Sequence, residues 1–184
     1  MKTRILSALL LLGAASLATA WQIVEIPSND PSPEHAWLLQ MVGEWDASFE
    51  ATAEPGAEPA TWKGQESVRA IGGLWMVAEG SMLMGGDSMA FMLTLGYDAE
   101  EKTYVGSWVD SVQSRMWTYR GTLDEARKVL TLEAEGPSIT KPGERANYRD
   151  LIEQVDEDTK RMTSFLLEGE DWVQYMTVNY QRTK

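Results

Sequence analysis

Gly43-Glu44-Trp45-Asp46-Ala47-Ser48-Phe49-Glu50-Ala51-Thr52 alternates with a period of two: Trp45, Ala47, Phe49 and Ala51 fall on one side, Asp46, Ser48, Glu50 and Thr52 on the other. Successive side chains of a strand point to opposite faces, so this is a strand with one face in a core and one in water. Just upstream the period is different. Within Pro33 to Val42, residues Trp37, Leu38, Met41 and Val42 recur at helical spacing, Ser32 stands at the N-cap position, Pro33 at the first helical position, and Gly43 closes the segment. The change of period at Gly43 predicts one short helix leading directly into a strand.

Strand-like runs continue downstream at about 61–71, 74–83, 89–96, 103–109, 115–121, 128–135, 146–155, 161–167 and 172–181, which with the first makes ten. The breaks carry turn chemistry: Glu54-Pro55-Gly56-Ala57-Glu58-Pro59, Gly72-Gly73, Gly85-Gly86-Asp87, Asp98 to Glu101, Leu123 to Ala126, Gly136 to Gly143, Asp156 to Asp158, and Glu168 to Asp171. Many short strands with tight acidic turns and no alternating helices indicate an all-β fold. A single antiparallel up-and-down barrel of about ten strands is favoured over a sandwich, because closure removes the sheet edges outright. No internal repeat and no shift of composition marks a second domain. The expected organisation is a signal peptide over 1–20, a proline-punctuated leader over 21–33 and one barrel domain over 34–184.

The first twenty residues have the layout of a secretory signal peptide. Lys2 and Arg4 form a positive start, Ile5 to Leu12 an apolar run, and Ala18-Thr19-Ala20 the small residues a signal peptidase accepts. The run is shorter than the ~20 apolar residues of a spanning helix, and no second one follows, so no membrane span is expected. The expectation is an exported protein, periplasmic or extracellular after cleavage at Ala20. With 16 basic and 28 acidic residues the chain carries −12, and loss of Lys2 and Arg4 makes this −14. That charge repels phosphates, so nucleic acid is excluded as a partner. The absence of cysteine rules out disulfides, thiol catalysis and iron–sulfur clusters, and one histidine rules out a multi-histidine metal site. No cofactor and no metal are expected.

The aromatic and glycine pattern carries a resemblance. Gly43-Glu44-Trp45 after a helix looks like the Gly-x-Trp kernel of lipocalin-like and fatty-acid-binding-protein-like barrels, and Arg182 sits where such proteins place an arginine across that tryptophan. A guanidinium over an indole is a cation–π contact, and the first and last strands are neighbours in a closed barrel. The wider set comprises His35-x-Trp37-Leu38, Val42-Gly43-x-Trp45, Pro55-Gly56, Gly73-Leu74-Trp75, Leu95-Gly96-Tyr97-Asp98, Tyr104-Val105-Gly106-x-Trp108-Val109-Asp110-Ser111, Tyr148-Arg149 and Tyr180-x-Arg182. Together these resemble the bacterial family labelled domain of unknown function 1579 over nearly all of the mature chain. The resemblance implies a calycin-like barrel and no established activity. Lys141-Pro142-Gly143-Glu144 departs from the Gly-Lys segment usual before the Tyr-Arg pair, which affects only a loop.

Eight tryptophans, at 21, 37, 45, 62, 75, 108, 117 and 172, serve a disulfide-free core or line a cavity. Trp45 suits the bottom of the barrel, and Trp108 and Trp117 suit a pocket wall. His35, alone and ahead of the barrel, reads as a helix-surface or capping residue rather than a haem ligand or base. Met82, Met84, Met89 and Met92 flank a turn; thioethers hold Cu(I), but methionine more commonly fills irregular apolar space.

Charges on the apolar side of strands stand out. Glu66 shares a side with Trp62 and Val68, Asp110 ends the aromatic side of its strand, and Arg149, Leu151, Glu153 and Val155 share another. A buried carboxylate needs a partner. Arg149 with Glu66, Glu153 or Asp110 would make an interior polar patch suited to a ligand with an apolar body and a polar head; a shift of parity by one residue would put these groups outside. The candidate ligand-binding residues are therefore Trp45, Glu66, Trp108, Asp110, Trp117, Arg149 and Glu153. No nucleophile elbow is present, and no catalytic residue is singled out. Three functions remain: a barrel that binds a small apolar or aromatic ligand, an enzyme using an interior Glu/Arg/Tyr cluster, and a solid barrel acting through its acidic loops.

Overall fold

A computed structural model describes residues 30–52 and 58–184. The expected signal peptide, most of the expected leader and Pro55-Gly56 lie outside the described residues. The order of elements is α1 Pro33–Leu39, β1 Gly43–Ala51, β2 Ala60–Ile71, β3 Trp75–Met84, β4 Asp87–Asp98, β5 Thr103–Asp110, β6 Trp117–Leu123, β7 Val129–Pro137, β8 Arg145–Gln154, β9 Thr159–Glu168 and β10 Asp171–Arg182. Each strand pairs antiparallel with its chain neighbours, and β1 pairs with β10, so ten strands close an up-and-down barrel. Closure leaves no edge among these strands to template pairing with another chain. No helix among the described residues is long and apolar enough to cross a membrane.

The period-two pattern of β1 is the pattern of its burial. Trp45, Ala47 and Phe49 are buried in the barrel while Glu44, Asp46 and Glu50 are exposed. Fully burying a large apolar side chain is worth roughly 1.5–3 kcal/mol, and the interior adds Leu95, Leu130, Leu132 and Val178, all essentially inaccessible to water.

The helix covers one end. Ser32 opens it with an extended backbone, and its N–H donates to His35 Nδ1 at 3.0 Å, which ties the only histidine into the helix start. Trp37 Nε1 donates to the Arg127 carbonyl at 2.9 Å, and the Tyr104 hydroxyl donates to the Glu34 carbonyl at 3.2 Å. Both bonds tie α1 to the barrel proper. Burial pushes Tyr104 up to about 12, so it remains a neutral donor.

Candidate functional site

The two ends of the barrel are built differently. At the end beneath α1, Trp45 lies between two cations: Arg182 Cζ is 4.1 Å from its ring and Lys160 Nζ is 4.6 Å from it. Trp45 Nε1 donates to the Met41 carbonyl at 2.9 Å. Arg182, directly opposite Trp45 in the β1–β10 ladder, donates to the carbonyls of Gln40, Val42 and Glu157, and so fastens the chain leaving α1 to the last strand. Gly43 takes a positive φ of 149°, and a Cβ there would lie 2.3 Å from Arg182 Nη1, so the guanidinium needs glycine at this position. Beside Trp45, Glu66 and Lys160 form an ion pair with both side chains about 5% exposed. Burial depresses the Lys160 ammonium, and Glu66 opposes that shift.

At the opposite end lies a cavity of about 310 Å³. Trp108, Trp117, Tyr119, Tyr148 and Tyr175 contribute aromatic rings to its wall, and Leu93, Leu132, Ile152, Met162 and Met176 contribute aliphatic surface. The rings support one another. Trp108 stacks on Phe91 at 4.4 Å between centroids, Trp117 meets Tyr148 edge-on at 5.1 Å, and Tyr148 meets Tyr175 at 6.2 Å. A Cβ on Gly136 would lie 2.0 Å from the Trp117 ring, so this glycine on β7 makes room for that wall. The Tyr148 hydroxyl donates to the Pro137 carbonyl at 2.5 Å and accepts from Ile139 N–H at 3.1 Å, which folds the β7–β8 loop over the mouth.

One carboxylate sits deep among these rings. Asp150, 9% exposed, points inward from β8 between Tyr148 and Ile152. Burial raises its pKa, and hydrogen bonds from Ser164 on β9 and Tyr119 on β6 pull the other way. Burial likewise raises Tyr119, Tyr148 and Tyr175, so all three phenols are neutral at ordinary pH. Asp110 stands at the mouth. Its carboxylate accepts from Trp108 Nε1 at 3.2 Å and from the backbone N–H groups of Val112 and Gln113, holding the β5–β6 loop and the Trp108 ring together.

The candidate residues thus divide into three groups. Trp108, Asp110 and Trp117 line the cavity. Trp45 and Glu66 point inward but belong to the filled end, and Glu66 has Lys160 rather than an arginine as its partner. Arg149 and Glu153 correct the expected inward placement. The inner side of β8 is Tyr148, Asp150 and Ile152, so both charges lie outside, where Arg149 pairs with Glu133 at 2.7 Å and covers Trp172, and Glu153 pairs with Arg161 at 3.3 Å. The expected Glu/Arg/Tyr patch is therefore not assembled. Met82 and Met89 are opposite partners in the β3–β4 ladder and share the inner face, where Met82 accepts from Trp62 Nε1 and Met89 borders the cavity, whereas Met84 and Met92 are exposed, so the four do not gather in one site. Among the described residues no group of three potential metal ligands converges.

Sequence reasoning missed Asp150, Tyr119, Ser164 and Tyr175. Asp150 shares its side of β8 with Tyr148 and Ile152, and that alternation was the available signal. Tyr175 was not legible, because β10 has an irregularity between Gln174 and Met176 that brings both Tyr175 and Met176 to the cavity.

A family model described as "Protein of unknown function (DUF1579)" matches residues 30–182. No curated protein matches the chain. Among solved structures, Rv2717c from M. tuberculosis superposes with a TM-score of 0.59 at 13% identity, covering 84% of this chain and 100% of that one. The S-type phycobiliprotein lyase CPES from Guillardia theta superposes with a TM-score of 0.53 at 12% identity, covering 84% of this chain and 99% of that one. At these identities the likeness is one of fold, a lipocalin-like barrel.

Proposed function

We propose, from the premise that the chain belongs to the DUF1579 family of proteins of unknown function, that it binds a small, largely apolar or aromatic molecule inside its barrel. The observation that carries this reading is the aromatic-walled cavity of about 310 Å³ with one buried carboxylate. Ligand sites are concave, mostly apolar and furnished with a few polar groups, in volumes of roughly 300–1,000 Å³. The cavity stands at the small end of that range, which suits a molecule of one or two rings. It also disfavours the solid-barrel alternative. Binding is preferred to catalysis because the hydroxyl–carboxylate contact in the cavity, Ser164 with Asp150, has no histidine beside it, the only histidine being engaged with α1 at the far end.

We propose further that this binding takes place outside the cytoplasm, in the periplasm or beyond it, after cleavage at Ala20; the layout of residues 1–20 supports that reading. Native mass spectrometry of the protein purified from its own cell envelope tests both parts. A mature chain beginning at Trp21 with a co-purifying small molecule supports the reading. An uncleaved chain sinks the export proposal. A bare mass, together with no binding of any small aromatic compound in calorimetry, sinks the ligand proposal.

A further inference from the structure

We propose that the occupant of this cavity is an organic cation, an aromatic or apolar body bearing an ammonium group that pairs with Asp150. The inference rests on reading the cavity as a binding site. It begins from two inward carboxylates. Glu66 is matched by Lys160 from within the chain, as a buried charge requires. Asp150, just as buried, has no ion-pair partner among the described residues, and its side chain faces the cavity. The groups around it are Tyr119 from β6, Leu132 from β7, Tyr148 on its own strand, Ser164 from β9, and Tyr175 and Tyr180 from β10, with Asp110 at the mouth on β5. None of these is a cation.

The walls favour the same charge. Aromatic faces attract cations through their quadrupoles, more strongly where water is excluded, and five rings line this space. A chain with a net charge of −12 also draws cations toward its surface. An anionic occupant would meet Asp150 and Asp110 with no basic group in the cavity wall to offset them.

The test is calorimetric titration of the full mature protein with three compounds sharing one bicyclic body: tryptamine, cationic; 3-ethylindole, neutral; and indole-3-propionate, anionic. Tryptamine should bind at least about tenfold more tightly than 3-ethylindole, and indole-3-propionate most weakly, since a charge-assisted hydrogen bond to a buried partner is worth about that factor or more. In Asp150→Asn the ratio of tryptamine to 3-ethylindole should fall to about one.

A pH series on the unmodified protein gives a second reading should that variant not fold. A cation favours the ionised carboxylate, so tryptamine affinity should rise with pH until Asp150 is ionised in the free protein. If 3-ethylindole binds as tightly as tryptamine, or affinity for tryptamine falls with rising pH, the cationic assignment is overturned and the cavity reading stands. If none of the three binds, both are overturned.

Discussion

One barrel carries two ends made from the same residue types, tryptophan, tyrosine and a buried carboxylate, and they do opposite things. Under α1 the indole of Trp45 is 1% exposed, covered by Arg182 and Lys160, and the carboxylate of Glu66 is neutralised by a lysine from a strand across the barrel. At the mouth the indoles of Trp108 and Trp117 are only partly buried, and Asp150 is left with hydroxyls. The difference is the supply of cations. Where the chain provides its own, aromatic and acidic groups complete a core. At the mouth Arg115 lies 5.4 Å from the Trp117 ring but is not among the residues that line the cavity, and with no cation at Asp150 the same groups form a site with unspent affinity for positive charge.

The most damaging test of this contrast is to remove the cation from the filled end. Lys160→Met strands Glu66 without a counter-charge and should cost about 3–5 kcal/mol in urea unfolding, whereas Glu66→Leu with Lys160→Met together should recover most of that loss. Should the single variant be no less stable than the parent, the pair is not what completes this end. Next in size is a comparison of two tryptophans. Trp45→Ala should cost about 3–5 kcal/mol, the usual penalty for emptying a packed aromatic site. Trp117→Ala should cost about 1–2 kcal/mol, because its ring already borders open space, while weakening any compound that binds in the cavity. Equal losses at the two positions would mean that the mouth is core.

The strand count and the filled end were legible, but the polar heart of the cavity was not, and the reasons are physical. Strand existence follows from local alternation and turn residues, which is why all ten runs and the helix ahead of Gly43 are where the pattern puts them. Trp45 against Arg182 was legible because closure makes the first and last strands neighbours. On β8 both sides mix apolar and charged groups: Arg149, Leu151 and Glu153 compete with Tyr148, Asp150 and Ile152, and a shift of one residue exchanges the faces. The pairing of Glu66 with Lys160 joins residues 94 positions apart, and nothing local announces it. Tyr175 depends on a strand irregularity that alternation does not encode.

Asp150 gives a test of intermediate size, through pH. Its carboxyl titrates higher in the folded chain than in the unfolded one, so the folded state holds more protons between the two values and stability falls as pH rises through that window. Below the unfolded value, near 4, the penalty is absent; above the raised folded value it is complete. The melting temperature of Asp150→Asn minus that of the parent should therefore rise with pH across the window and then level off. A difference that is flat or falls with pH would mean that Asp150 is already neutralised inside the protein, as Glu66 is, and the two ends would not differ in their supply of cations.

The smallest expected effect checks the facing of β8. Arg149 lies on the outer surface, its guanidinium 3.9 Å from the Trp172 ring and paired with Glu133, and Glu153 is paired with Arg161 beside it. Exposed pairs of this kind contribute about 0.2–1 kcal/mol, and a solvent-side cation–π contact a similar amount. Arg149→Gln and Glu153→Gln should each shift the urea midpoint by no more than that range implies. Affinity for tryptamine should be unchanged, because the β-sheet wall separates both residues from the cavity. A large loss of affinity in either variant would turn β8 inside out, bring Arg149 into the interior as the cation for Asp110 or Glu66, and remove Asp150 from the site. The opposing result leaves Asp150 as the inward charge of this strand, and the distinction between a filled end and a receptive one then rests on which side of β8 each residue occupies.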